Sequence, residues 1–253
     1  MSSRFKRRSI DTGSLPGRRF PVKSGSGYSR EVKNVDAIPI FPLPNVVLFP
    51  GVRVPLHLFE PRYRQMARQA LAGASRIGMV AVPPEHAAEM LGDPPVFPVG
   101  CEGLIEQSQK LPDGRYNIVL LGTDRFRILE EPPRPDEQLY RTARIERFGD
   151  PLSDAERERV AALRGETVDL LRKLLQHIAP ERAESITLAQ FDGIDDATFV
   201  NSLAQTVDFD TPEKQALLEA NGVSERSDQL IGLLRFRLAE GSARGSRAPG
   251  RLH

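Results

Sequence analysis

The sequence is poor in cysteine and has no long apolar run. Its one cysteine, Cys101, excludes a disulfide within the chain and a zinc cluster built on cysteines. No stretch approaches the run of about 18 apolar residues that a membrane span requires. The N-terminus also lacks the apolar stretch of a signal peptide. These absences predict a cytoplasmic protein with no membrane partner.

An excess of charge of one sign is missing as well. The 35 Lys and Arg residues nearly balance the 34 Asp and Glu residues, which leaves a net charge of +1. Such a chain has no overall field that attracts nucleic acid or anionic membranes. Aromatic residues make up 6% of the chain and Trp is absent, so few side chains are available to stack on bases. Nucleic acid is therefore not the expected partner.

The common catalytic motifs are absent too. No Gly-Lys pair occurs, so there is no G-x-x-x-x-G-K-[ST] phosphate loop, and neither G-x-S-x-G nor H-E-x-x-H is present. His86 and Glu89 have a spacing that could ligate a metal on a helix, but two ligands after a double proline favour a solvated turn. The other reactive side chains are expected to have structural and not catalytic roles: His57, Cys101, His177 and the pair Asp195–Asp196. We predict no catalytic residue, no metal and no cofactor, and neither ATP hydrolysis nor proteolysis.

Both ends of the chain have the composition of disordered tails. Residues 1–35 are rich in Arg, Lys, Gly and Ser, with only Asp11 and Glu31 as acids. Such segments bury too little apolar surface to offset the entropy lost on ordering. Residues 241–253 have the same character. The basic N-terminal tail has four interpretations: an RNA-binding segment, a solubilising extension, an upstream start or an organelle transit peptide.

Short apolar runs predict β strands between residues 36 and 150. Val52–Leu58 alternates apolar and polar side chains, and Pro55, which lacks an N–H, suits an edge strand. Arg76–Val82 is apolar on both faces and indicates a buried strand. A third strand is expected to point Cys101 inward and Glu102 outward. Tyr140–Phe148 is a further predicted strand, in which Ala143 and Ile145 face inward.

Turns and one helix separate these strands. Pro112–Gly114 predicts a hairpin, and Gly122–Asp124 predicts a second turn. Pro61 suits the first position of a helix, which Gly73 ends. Several strands around one short helix indicate a small closed or half-closed barrel.

The period changes to that of helices in residues 151–240. Ser153 and Glu156 have capping-box spacing and begin a long helix. A shorter helix follows Asp195–Asp196, another starts at Thr211 as N-cap, and a last one starts at Ser224. The predicted fold class is α+β, with a β-rich lobe followed by a helical subdomain.

The most specific motif is Ile40–Gly51 (IFPLPNVVLFPG), which is followed by Leu56–Arg64 (LHLFEPRYR). With Gly122–Ile128 and Thr211–Arg226, it resembles the N-terminal substrate-binding domain of Lon-type proteases. The resemblance runs from about Ile38 to Leu238. It implies a PUA-like β-rich pseudobarrel followed by a C-terminal α-helical bundle. The ATPase module and the Ser/Lys peptidase of those proteases have no counterpart in the sequence.

The function that the resemblance implies is polypeptide binding without catalysis. Such a module would bind unfolded or client polypeptides, or regulate proteolysis with a protease or ATPase partner. The Pro-rich turn of the first motif could present apolar surface, so we predict five contact residues: Asn45, Val46, Phe49, Arg62 and Tyr63. An ion pair of Arg62 with Glu60 inside the lobe is the structural alternative. An RNA-binding PUA-like module is the alternative function.

Overall fold

The computed structural model describes residues 35–150, 152–178, 183 and 187–245. The strands are β1 (Val35–Leu43), β2 (Arg53–Leu58), β3 (Arg76–Ala81), β4 (Val99–Lys110), β5 (Tyr116–Glu130) and β6 (Arg141–Phe148). The helices are α1 (Pro61–Ala72), α2 (Asp154–Ile178), α3 (Asp196–Thr206), α4 (Thr211–Glu219) and α5 (Val223–Gly245), with 3₁₀ turns at Pro84–Glu89 and Leu188–Phe191. The predicted order of strands first and helices afterwards is confirmed.

The predicted tails fall mostly outside the described residues. Of the N-terminal tail, only Val35 is described, and it begins β1. At the other end α5 continues to Gly245, past the position where the second tail was expected to begin. Residues 1–34 and 246–253 are outside the description.

The strands form one mixed sheet that closes into a barrel. Its order is β2-β5-β4-β3-β1-β6, and β5 also pairs with β6. Along one edge β5 pairs with two strands: its residues 116–121 pair with β2, and its residues 125–130 pair with β6. Among the described residues β2 pairs only with β5, which places Pro55 on an edge strand as predicted.

The first strand lies between two distant parts of the chain. It runs parallel to β3 and antiparallel to β6, with Ile38 opposite Ala143. It also contains Pro39 and Pro42, which have no N–H to donate to a neighbour. Because β1 pairs with β6, closure of the barrel joins the first described strand to the last.

A small apolar cluster fills the barrel interior: Ile38, Ile40, Val80, Phe126, Ala143 and Ile145. The Phe126 ring needs a glycine on the neighbouring strand, because a Cβ on Gly100 would lie 2.6 Å from its Cζ. Because side chains alternate along a strand, every second residue counted from a member of this cluster, or from Gly100 on β4, also points into the barrel.

This parity corrects one sequence prediction. Glu102 points into the barrel and is 0% exposed, although it was expected to face outward. It accepts hydrogen bonds from Arg76 and Arg147, at 3.1 Å from Arg76 Nη1 to Glu102 Oε1. The prediction failed because β4 is covered on both faces, Cys101 by the main core and Glu102 by the barrel. Burial alone would raise the pKa of Glu102, but the two arginines hold this pKa below its ordinary range.

A second correction concerns Gly122–Asp124, which is a β-bulge inside β5 and not a turn. Between Gly122 and Arg125 the strand carries one residue more than its partner, whose matching positions are Gly103 and Cys101. Gly122 is needed because a Cβ there would lie 2.2 Å from the carbonyl oxygen of Phe49.

A larger core lies between the barrel and the helices, and two buried arginines join the two parts. Arg125 donates to the carbonyls of Leu218 and Ala220 at 2.7 and 2.6 Å, at the end of α4. Arg226 binds both oxygens of Asp150, at 3.0 and 3.1 Å, and Arg125 pairs with the same carboxylate. Burial lowers the pKa of Arg125 to about 10, so it stays protonated at neutral pH.

The helix boundaries follow the predicted caps to within one residue: the N-cap of α4 is one residue earlier than predicted, and α5 begins at Val223 and not at Ser224. Ser153 and Glu156 form the predicted capping box of α2. For α4 the N-cap is Asp210 and not Thr211: its side chain accepts from the backbone N–H of Glu213 at 2.8 Å. Thr211 instead donates its hydroxyl to the Pro44 carbonyl at 3.1 Å.

Candidate functional site

An open groove of about 320 Å³ lies between α1 and the tip of the β4–β5 hairpin. One side of the groove comes from α1, whose opposite face carries the buried Tyr63, Met66, Ala67 and Ala70. Arg64 and Arg68 lie one helical turn apart on the other face and line the groove. Lys110 and Tyr116 line it from the hairpin, and Leu139 lines it from the loop before β6.

Both walls of the groove are held by hydrogen bonds to α1. The Nε of Arg64 donates to the Gly114 carbonyl at 2.8 Å, which fixes the hairpin tip. Gln65 donates to the Glu137 carbonyl at 2.8 Å and accepts from the backbone N–H of Leu139 at 2.7 Å. These hydrogen bonds fix the hairpin tip and the loop before β6 relative to α1, and so they define the two walls of the groove.

The hairpin also offers a strand edge. β3 pairs with β4 only up to Leu104, whereas β4 continues to Lys110. In the described part of the chain, residues 107–110 pair with β5 alone, and all of them are exposed. Their other edge carries backbone N–H and carbonyl groups without a strand partner, and Lys110 at its end lines the groove.

Exposed apolar side chains lie at this end of the lobe. Leu139 in the groove wall is 49% exposed, and Phe59, two residues before Pro61 of the groove, is 59% exposed. Phe59 stacks on His57 with the ring centroids 6.2 Å apart. His57 in turn lies 3.3 Å from Nη1 of Arg115 on the hairpin.

The Pro-rich segment that the sequence favoured is largely internal. Phe49 is 0% exposed and lies under Arg226, with the guanidinium 6.0 Å from the ring centroid. Val46 packs against the main core, and Asn45 is exposed. The following Pro50 carbonyl accepts a hydrogen bond from Asn201 of α3 at 2.9 Å. The helices cover this segment, so Phe49 offers no contact surface in this structure.

Arg62 and Tyr63 hold the lobe together. Arg62 forms the ion pair with Glu60 that was its structural alternative, at 2.8 Å, and donates to the Gly92 carbonyl at 2.9 Å. Tyr63 is 5% exposed and packs edge-on against Phe41 with 4.4 Å between centroids. Burial raises the pKa of Tyr63 to about 12.

The groove residues Arg64, Arg68, Lys110 and Leu139 were not among the site residues predicted from the sequence. The four-residue spacing of the two arginines, opposite the apolar stripe of α1, was a usable signal for them. Nothing in the local sequence marks Leu139, because its position depends on the distant Gln65.

A larger opening of about 730 Å³ lies at the mouth of the barrel. Arg76 and Arg147 line it, and both donate hydrogen bonds to Glu102 at its base. Asp124 adds a second carboxylate. The charges of this opening are thus already balanced, in contrast to those of the groove.

The side chains tested as catalytic or metal-binding candidates occupy structural positions. Cys101 is fully buried, and burial raises the pKa of its thiol well above the ordinary range. His86 pairs with Glu89 at 2.8 Å on a 3₁₀ turn, and Asp195 caps α3. Within the described ranges no group of three or more His, Cys, Asp or Glu side chains could hold a metal. None of the described helices combines the length and apolar character that a membrane crossing requires.

The family model of the ATP-dependent protease La (LON) substrate-binding domain matches residues 37–235. This chain belongs to that family. The match includes the barrel, the groove and most of the helical part. It concerns the Lon substrate-binding domain and not the ATPase or peptidase parts of Lon proteases.

Relatives of the Lon substrate-binding domain are longer proteins. The Lon protease of Flavobacterium johnsoniae is 28% identical over 203 residues, which are 80% of this chain and 24% of that protein. The Lon protease of Escherichia coli K12 is 28% identical over 200 residues, 78% of this chain and 24% of that protein. The chain thus spans about a quarter of the length of the curated relatives it matches.

Solved structures of Lon N-terminal domains share the fold. A Lon N-terminal domain protein from Xanthomonas campestris has a TM-score of 0.53 at 22% identity and covers 78% of this chain and 98% of its own. The N-terminal domain of a Mycobacterium avium complex Lon protease has a TM-score of 0.54 at 20% identity and covers 79% and 98%. The predicted α+β fold of Lon N-terminal type is confirmed.

Proposed function

We propose that this chain is a non-catalytic module that binds extended segments of polypeptide chains at the groove and at the adjoining edge of β4. The proposal is supported by the family, which is that of the Lon substrate-binding domain. The observation that carries it is the strand edge of residues 107–110 beside the groove. A protease or ATPase partner and a cytoplasmic location stay predictions.

A strand edge suits a binder of unfolded clients. Unfolded chains share a backbone and exposed apolar side chains but no sequence motif. An extended segment that adds to β4 would gain main-chain hydrogen bonds whatever its side chains are. Alternate side chains of that segment would face the groove, where Leu139 offers apolar contact, and Phe59, two residues before the lining residue Pro61, is also exposed.

The test is a titration of the full chain with a reduced, permanently unfolded protein, read by fluorescence anisotropy. We expect binding in the wild type and a loss of about tenfold in the double variant Phe59→Ser/Leu139→Ser, because both side chains lose apolar contact with the client. The matched control is Leu91→Ser/Phe236→Ser, which removes side chains that are 98% and 56% exposed elsewhere. No binding by the wild type, or equal losses in the two variants, would overturn the proposal.

A second arm tests the strand edge itself. A short peptide that binds the wild type is compared with a copy N-methylated on alternate residues, which cannot donate its backbone hydrogens. We expect the methylated copy to bind at least about tenfold more weakly, since a row of main-chain hydrogen bonds is lost. Equal binding of the two peptides would exclude strand addition.

A further inference from the structure

We infer that the groove selects polypeptide segments that carry carboxylate side chains among apolar residues. This inference rests on the proposed function and adds a substrate class to it. Three cations line the groove, Arg64, Arg68 and Lys110, and none of the described residues that line it is acidic. The remaining lining residues are Pro61, Gln65, Gly114, Tyr116 and Leu139.

These cations lack the carboxylate partners that most exposed arginines have elsewhere on the described surface. Ion pairs outside the groove include Arg53–Glu106, Arg134–Asp93, Arg144–Glu130 and Arg235–Glu166. The exposed Arg127 is an exception, and it lies 5.9 Å from the centroid of the Phe148 ring. Among the described residues, Arg68 and Lys110 have neither an ion pair nor a side-chain hydrogen bond, and both are exposed. The groove therefore departs from the surrounding surface in its charge.

Arg64 keeps donors available although it is half-buried. Its Nε is used on the Gly114 carbonyl, and it forms no ion pair with a described carboxylate. The nearest acid on the hairpin, Asp113, is already bonded to Arg115, with 2.6 Å between Nε and Oδ2. A carboxylate arriving with a ligand would thus meet three cations, none of which forms an ion pair with a described carboxylate.

The shape and the lining favour a polypeptide over RNA as the anionic ligand. Single-stranded RNA needs exposed aromatic faces on which bases stack. Tyr116, the aromatic residue of the lining, is only 6% exposed, whereas Leu139 and Pro61 present apolar surface. The β4 edge that ends at Lys110 offers backbone groups that pair with another extended chain and not with a base.

The experiment uses the full chain and three labelled peptides of one length. In the first, Glu alternates with apolar residues. In the second, Gln replaces Glu, and in the third, Lys replaces it. We expect the acidic peptide to bind about tenfold more tightly than its Gln copy at low salt, since each exposed charge pair contributes up to about fivefold. The advantage should vanish near 0.5 M salt, about where exposed charges are screened, while the apolar contribution persists.

Charge reversal locates the effect. In Arg68→Glu/Lys110→Glu the preference should invert, so that the Lys peptide binds better than the Glu peptide. Arg157→Glu/Lys173→Glu reverses two exposed cations on α2 and should leave the preference unchanged. Arg68→Gln/Lys110→Gln removes the charges without reversing them and serves if the first variant does not fold.

The outcomes separate the two proposals. Equal binding of the Glu and Gln peptides, with binding retained, would overturn the carboxylate preference and leave the proposed function standing. No peptide binding at all would overturn both. Salt-sensitive binding of single-stranded RNA that is lost in Arg68→Glu/Lys110→Glu, without peptide binding, would assign the groove to RNA.

Discussion

Glu102 is the residue whose placement the sequence could not predict. Alternation along a strand shows which side chains share a face, but it does not show which face is covered. Cys101 and Glu102 point in opposite directions and are both 0% exposed, because β4 has the main core on one side and the barrel interior on the other. The same limit applies to Phe49, whose apolar motif indicates burial or a binding surface equally well.

The Glu102 carboxylate should stabilise the barrel in a pH-dependent way. We expect Glu102→Gln to lower the free energy of unfolding by about 2 kcal/mol at pH 7, because two arginines lose their shared anion. The folded-state pKa of Glu102 lies below its ordinary value, so this stabilisation is complete above about pH 4.3. It is lost as the pH falls through the lowered pKa.

Urea unfolding of wild type and variant at pH 7 and pH 3 measures this difference. Glu166→Gln is the control, since Glu166 pairs with Arg235 in solvent and should change stability by less than about 1 kcal/mol. A difference between wild type and Glu102→Gln that is as large at pH 3 as at pH 7 would contradict the assignment.

At the scale of elements, the bulge in β5 shows why turn chemistry misled the sequence analysis. Gly122–Asp124 has the composition of a turn, yet the chain continues as one strand. The glycine is required by the close approach of a distant backbone, that of Phe49. Local composition reports that a residue without a Cβ is needed, and only the tertiary structure shows what approaches it. Helix periods and caps were predicted far better, because helix contacts are local.

Gly122→Ala should therefore destabilise the protein. The new Cβ would lie 2.2 Å from the Phe49 carbonyl oxygen, and we expect a loss of about 2 kcal/mol or more as the backbones move apart. Gly165→Ala in α2 has nothing within 4 Å of its new Cβ and should stabilise the helix by about 1 kcal/mol. Thermal unfolding measures both changes: Tm should fall in Gly122→Ala and rise in Gly165→Ala. Equal shifts in Tm would refute the close-approach explanation.

For the whole molecule, one carboxylate governs how the helices sit on the barrel. Asp150 is shared by Arg125 and Arg226, which are 3% and 0% exposed. The arginines also bind carbonyls at the end of α4. The position of Arg226 on the apolar stripe of α5, four residues before Leu230 and eight before Leu234, was a sequence signal of a buried charge.

Asp150→Asn should be the most destabilising of these changes, by about 3 to 5 kcal/mol, because two buried cations lose their counter-charge. Asp228→Asn breaks an exposed pair with Arg159 and should change stability by less than about 1 kcal/mol. Hydrogen exchange adds a regional readout. Protection in Asp150→Asn should fall first in α4 and α5, and an unchanged pattern there would contradict the proposed role of Asp150.

The pairing of β1 with β6 determines when the barrel can close during synthesis of the chain. Of the described strands β1 is made first, yet its partner β6, with Ala143 opposite Ile38, is made last. The entropy of closing so long a loop must be met before the pairing is gained, which slows folding. During that interval the edge of β1 is bare and open to strands of other nascent chains. Pro39 and Pro42 each remove one donor from β1, and because residues three apart direct their backbone groups to opposite edges, each edge of the strand lacks one N–H. We expect these gaps to make the unpaired β1 a poorer template for strands of other nascent chains.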